Sequence, residues 1–349
     1  MFSLIRQALI GSPLPSERLK HERLNNVQAL AVLSSDALSS VAYATEEILL
    51  VLVSAGMGAL QLSWPIALAI GALLVIVGTS YYQTVHAYPT GGGAYIVARE
   101  NLGTLPSLVA GAALLVDYVL TVAVSISAGV AAITSAFPAL YAWRVELAIL
   151  AVLAITIMNL RGVRESGKVF AVPTYFFIFT LFALILTGLA RWLNGTLPAI
   201  DVAVRSDLGQ ALGGVSLFLV LRAFTSGCTA LTGIEAISDG VPVFRSPESR
   251  NAGRTLLVMI AILVSMFLGI TFLSNQLGLA PVEGETVVSQ LGRRVFGRGP
   301  FYFAVQAATA LILLLAANTS YADFPRLSRW KAEDRFLPQQ QANRGDRLG

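Results

Sequence analysis

"LSSDALSSVAYATEEIL", residues 33–49, lies inside a long apolar run, yet it carries an aspartate, four serines, a tyrosine and two glutamates. In a soluble domain it would be an ordinary amphipathic helix. Its surroundings decide otherwise. The chain has 349 residues, of which 55% are hydrophobic and 13% charged. Soluble domains carry roughly 25% charged residues. Mean hydropathy is +0.70. Long apolar blocks, rather than weak alternation over roughly ten residues, indicate an all-α polytopic membrane protein and not a β-barrel.

Working outward from that stretch, eight blocks have spanning length: 27–55, 63–85, 105–136, 144–160, 167–190, 212–240, 254–278 and 300–322. The chain divides into an N-terminal segment 1–26, a transmembrane transporter domain 27–322 and a polar tail 323–349. The first ten residues read equally as an interfacial amphipathic helix or a polar tail, and no cleavable signal peptide is expected. Eight spans place both termini on one side. Seventeen Lys and Arg fall on that side and six on the other, so both termini are expected in the cytoplasm of a multi-pass cell-membrane protein. Basic residues between apolar blocks are topology signals, not a nucleic-acid surface. The one cysteine, Cys228, excludes a disulfide framework within the chain. His21 and His86 fit no metal pattern. No nucleophile–base pair is visible, so neither an enzyme nor an organic cofactor is expected.

A carboxylate at mid-membrane costs roughly 2.5–3.5 kcal/mol on insertion scales, so Asp36 must face protein or water, or be protonated. Ser34, Ser35, Ser39 and Ser40 can satisfy backbone groups freed where a helix breaks. A Ser-rich, Asp-containing first span therefore reads as a discontinuous helix of the kind that builds transporter sites. In the third span Asp117, Thr121 and Ser125 recur at every fourth position and share one stripe. The sixth span, "RAFTSGCTALTGIEAISDGVP", offers a second break over 226–233, with Glu235 and Asp239 beyond it. Oxygen-rich, nitrogen-poor surroundings suit a desolvated cation better than an anion or a zwitterion, and few carboxylates suit a monovalent one. Glu235 is the proton-carrier candidate, since protonation removes its burial cost. Tyr43, two turns beyond Asp36, is expected at the same site. Glu46 reads either as lining an outward pathway or as interfacial. "AYPTGGGAYIVARENLG" (87–103) lacks the strand and the Lys-Ser/Thr ending of a phosphate loop. It reads as a Pro/Gly re-entry at the cytoplasmic face, where backbones approach closely.

Several segments carry a resemblance: "YPTGGGAY" (88–95), "NLRGVRESGKV" (159–169), "IEAISDGVPVFRSPESRNAGRT" (234–255) and "ADFPRLSRWKAEDRFLP" (322–338). Together they resemble the amino acid–polyamine–organocation (APC) transporter superfamily over nearly the whole chain. "SSDALSSVAYATEEIL" is closer to KimA-type potassium importers than to amino-acid permeases, whose first break is usually Gly-rich. The resemblance implies a LeuT-like inverted five-plus-five repeat, with helices 1 and 6 broken, and potassium uptake coupled to protons. It implies potassium at Asp36, Tyr43, Asp117, Thr121, Ser125 and Thr232, with Glu235 for the proton. It also implies a homodimer. Eight spans rather than ten, and no soluble C-terminal regulatory domain, make the expected architecture incomplete and C-terminally truncated. The alternatives kept at this stage are an amino-acid or polyamine permease of the same superfamily and an inactive transporter fragment.

Overall fold

The computed structural model describes residues 23–91, 93–160, 167–197 and 215–342. The first twenty-two residues, Gly92, most of the fourth-to-fifth loop (161–166), the connection 198–214 and the end of the tail (343–349) lie outside the described residues. So do the expectations made for them.

The fold is helical throughout the described residues, with two isolated bridges, Leu24–Phe244 and Val282–Glu285, and no sheet. The first apolar block forms three consecutive pieces: α1 (Asn26–Leu33), α2 (Ser35–Ser39) and α3 (Val41–Leu52). Then come α4 (Ser63–Ala87), the short α5 (Gly93–Leu102), α6 (Thr104–Ala136), α7 (Arg144–Leu160) and α8 (Gly167–Leu193). After the connection follow α9 (Leu217–Gly227), a one-turn α10 (Ala236–Asp239), α11 (Glu248–Gln276), α12 (Val287–Phe296) and α13 (Pro300–Glu333). Seven helical segments are long and apolar enough to cross a bilayer. The first block is missing from that set because Ser34 and Ser40 divide it into pieces too short to qualify singly.

Small residues let these helices approach, as expected where lipid tails compete for apolar contact. Gly71 and Gly78 of α4 lie against Leu268 and Ile260 of α11, and Gly253 lies against Tyr82 and His86, which fixes an antiparallel pair. Helix α6 runs antiparallel to α13: Gly111 meets Lys331, Gly129 meets Leu313, and the Tyr302 hydroxyl donates to the Ser135 carbonyl at 3.1 Å. Helix α7 is peripheral, with Ile155 its one buried residue. It is held by Asn159 Nδ2 donating to Asn318 Oδ1 at 2.7 Å, and by Thr156 against Tyr321 at 2.8 Å. Leu120, Ile149, Leu150 and Phe179 are each more than half exposed. In water they would form large apolar patches, whereas a bilayer solvates them.

Two helix boundaries differ from expectation. Helix α11 begins at Glu248, ahead of the apolar block, because the polar turns "ESRNAGR" still bury Ala252 and Gly253. Helix α13 continues past 322 and through Pro325 to Glu333. Leu327 and Ala332 are buried on that extension, Leu327 against Tyr95 and Tyr118, so packing outweighs the proline.

Candidate functional site

The site begins with the serines of the first segment. Asn25 caps α1, its side chain accepting from Gln28 N at 2.9 Å. The helix stops at Ser34, whose hydroxyl donates back to the Leu30 carbonyl. Ser35 donates to Val32 O at 3.2 Å, Ser39 to Asp36 O at 2.7 Å and Ser40 to Ala37 O at 2.7 Å. These four hydroxyls therefore satisfy the carbonyls loosened at the two breaks and serve the backbone. They leave Asp36 unclaimed. Its side chain is 8% exposed, and its Oδ1 has no hydrogen-bond partner. An unpartnered carboxylate oxygen in so apolar a setting carries a large desolvation penalty unless a ligand completes it.

The sixth segment breaks at the same depth. Helix α9 gives way at Gly227 to a 3-10 turn, Cys228–Leu231; Thr232 is then extended and Gly233 has φ +74. That glycine lies directly on α2. A Cβ built there would sit 2.6 Å from Ala37 N and 2.8 Å from Asp36 Oδ2. The Ser40 hydroxyl reaches the Ala230 carbonyl at 3.4 Å. The two breaks thus cross in contact. Thr229 Oγ1 is buried there without a partner, and Thr232 is the side-chain neighbour of Tyr43. Tyr43 lies within electrostatic reach of Asp36 and Asp117.

Helix α6 brings the third set. Thr121 and Ser125 are buried, Asp117 is half-buried, and Ser125 Oγ has no partner. Asp117 is an electrostatic neighbour of Asp36. The antiparallel register of α6 on α13 puts Ser320 level with Thr121, and Ser320 Oγ is also unpartnered. Asp36 Oδ1, Ser125 Oγ, Thr229 Oγ1 and Ser320 Oγ are therefore four unsatisfied oxygens on four segments, those of Asp36 and Thr229 belonging to the two breaks themselves. All four lie in blocks read from the sequence, but neither Ser320 nor Thr229 was singled out there.

Glu235 sits below the crossing between two tyrosines. The Tyr118 hydroxyl donates to its Oε1 and the Tyr81 hydroxyl to its Oε2, each at 3.4 Å. Asp117, Asp239 and Asp323 surround it electrostatically. Asp323, on the unexpected extension of α13, also reaches Asp36 and pairs with Arg326 at 3.0 Å. The glycines of "YPTGGG" close this end: a Cβ on Gly91 would lie 2.6 Å from the Asp239 carbonyl, and one on Gly93 would collide with the Asp239 carboxylate. Close backbone approach, rather than phosphate binding, accounts for that motif. Glu46 and Glu47 line a cavity on the opposite side of Tyr43. Among the described residues no group of three or more His, Cys, Asp or Glu is arranged to hold a metal ion. One or two carboxylates beside hydroxyls offer a weaker oxygen field than the carboxylate cage of a divalent-metal site.

The sequence matches the amino acid permease family over residues 24–349. Over all 349 residues it is 50% identical to the potassium transporter KimA of Bacillus subtilis strain 168, and it spans 57% of that protein's length.

Proposed function

The chain belongs to the amino acid permease family, and on that premise we propose that it is a secondary active importer of potassium, coupled to protons. One observation carries the reading. Buried, unpartnered oxygens of Asp36 and Thr229 belong to two interrupted helices that touch at Gly233, and α6 adds a third such oxygen on Ser125. Anions would be repelled there, and an uncharged substrate would leave Asp36 unpaired. A partly or wholly dehydrated monovalent cation satisfies all three oxygens together.

Potassium is held between Asp36, Asp117 and the hydroxyls of Thr121, Ser125 and Thr232, with Tyr43 as the roof. The name of the 50% identical relative supports the choice of ion. Glu235 exchanges the proton. Its carboxylate accepts from two tyrosine hydroxyls on two other helices, a hydrogen-bonded position from which a proton can be taken up and released. The matching interruptions of the first and sixth segments support a LeuT-like inverted repeat. We place residues 27–322 in the transporter core, both termini in the cytoplasm, the chain in the cell membrane, and two copies in the working assembly.

The test is uptake into proteoliposomes holding the purified chain. Potassium uptake driven by an inward proton gradient, and lost in Asp36→Asn, is the expected result. Uptake of an amino acid or polyamine with no potassium uptake would overturn the reading.

A further inference from the structure

A cavity of about 400 Å³ lies between α3, α6 and α13, beyond Tyr43 from the crossing. Glu46, Glu47, Ser127, Thr286 and Thr309 supply its polar lining. It is on the half of the protein opposite the start of α1. There the end of α6 meets the start of α12 through Thr286 N donating to Ser135 Oγ at 3.0 Å. The two glutamates differ. One oxygen of Glu46 accepts the Val287 N–H at the start of α12, at 3.1 Å. Glu47 is half-buried, and no hydrogen bond or ion pair ties it to another described residue.

We propose that this cavity is a second cation site, one that takes a bulky monovalent cation: an alkali ion with its water, or a small quaternary ammonium. Three features point there. The volume admits on the order of a dozen waters, so an ion inside keeps its hydration shell. Stripping that shell would need a close ring of oxygens, whereas Val124, Ala128 and Leu313 make much of this wall apolar. Adjacent carboxylates between low-dielectric walls focus negative potential, which concentrates cations without selecting among them by size. Tyr43 belongs to both places: it lines the cavity, and it is the neighbour of Thr232 and Asp36 at the crossing. The cavity is therefore an antechamber, with Tyr43 as the partition behind which dehydration occurs. Its place in series rests on the transport reading above; its occupancy does not.

The experiment follows thermal unfolding of the purified 349-residue chain in detergent. The chain is titrated with potassium chloride or with tetramethylammonium chloride, at ionic strength held constant with bulky N-methylglucamine. Tetramethylammonium cannot occupy a site built for a dehydrated ion, so its stabilising effect reports the cavity alone. In Glu47→Gln its half-saturating concentration rises about tenfold or more, the equivalent of one lost carboxylate. Asp36→Asn abolishes the potassium-selective response and retains the tetramethylammonium response. Ser127→Lys, which tethers an ammonium inside the cavity, abolishes the tetramethylammonium response, and a surviving potassium response shows that the variant is folded. Absence of a tetramethylammonium effect in the unsubstituted chain, or an equal effect in Glu47→Gln, overturns the proposal. A Glu47-dependent tetramethylammonium response without any potassium-selective response upholds the cavity site and sinks the transport reading instead.

Discussion

Gly233 touches Asp36 so closely that a methyl group in place of its hydrogen would lie 2.8 Å from the Asp36 carboxylate. The same methyl would press on the Ala37 amide, and the backbone there has φ +74, a left-handed conformation that L side chains rarely adopt. Gly233→Ala therefore strains the sixth segment and wedges it off the first. The expected loss is about 1–3 kcal/mol of stability. Potassium-dependent stabilisation should fall at least tenfold in apparent affinity, because Asp36 is displaced. Thermal unfolding with and without potassium reads both. A variant of unchanged stability and affinity would mean that the two breaks do not bear on one another.

Ser125 separates a ligand from a structural hydroxyl. Its Oγ is fully buried and has no hydrogen-bond partner. Removing an unsatisfied polar group relieves a desolvation penalty of about 1–3 kcal/mol. Ser125→Ala is accordingly expected to match or exceed the unfolding temperature of the unsubstituted chain when no ion is present. Its stabilisation by potassium should shrink, with affinity reduced about tenfold. Ser39→Ala, which deletes a donor to the Asp36 carbonyl, should lose stability with or without the ion. If the two variants behave alike, Ser125 is not a ligand.

Glu235 receives hydroxyls from two helices and lies beside Asp117, Asp239 and Asp323. Glu235→Gln retains an acceptor for one tyrosine and removes the titratable group. The expected outcome is potassium uptake that no longer responds to an imposed proton gradient, while potassium still stabilises the purified chain. Flux measured with and without the gradient, at fixed membrane potential, decides it. Continued gradient dependence would move the proton to another carboxylate, with Asp239, its strongest electrostatic neighbour, the first candidate.

How much of this was legible follows from what each residue depends on. The stripe of Asp117, Thr121 and Ser125 lies on one unbroken helix, so spacing alone placed it. The breaks of the first and sixth segments were readable because serines, threonines and glycines replace apolar residues there. Tyr43 was reached by counting two helical turns beyond Asp36; the chain is interrupted between them at Ser40, and Tyr43 lies within electrostatic reach of Asp36. Asp323 was missed because the apolar block ends at 322 and the sequence beyond it is polar, whereas burial of Leu327 against Tyr95 and Tyr118 helps keep α13 helical there. Ser320 depends on the register of α13 against α6, which is a relation between helices and leaves no trace in the periodicity of either. The tyrosine clamp on Glu235 is hidden for the same reason.

The short helix α5 gives a last test at the end of the protein where α1 begins. Ten residues are too few for a helix to persist alone in water, so α5 must be held by its contacts. Tyr95, 1% exposed, donates to Asp334 Oδ2 at 2.8 Å, and Arg99 pairs with the same carboxylate. The Arg99 partner is largely exposed and contributes little on its own. The tyrosine bond matters more, because Asp334→Ala leaves a buried hydroxyl unpaired at a cost of about 1–3 kcal/mol. Amide hydrogen exchange over residues 93–102 is expected to accelerate in that variant, with exchange in α11 unaffected. Adding Tyr95→Phe to Asp334→Ala removes the orphaned hydroxyl and should recover most of the protection, so the two substitutions are non-additive. Strict additivity, or unchanged exchange in Asp334→Ala, would show that packing of Tyr95 on Leu327 holds α5 without the carboxylate.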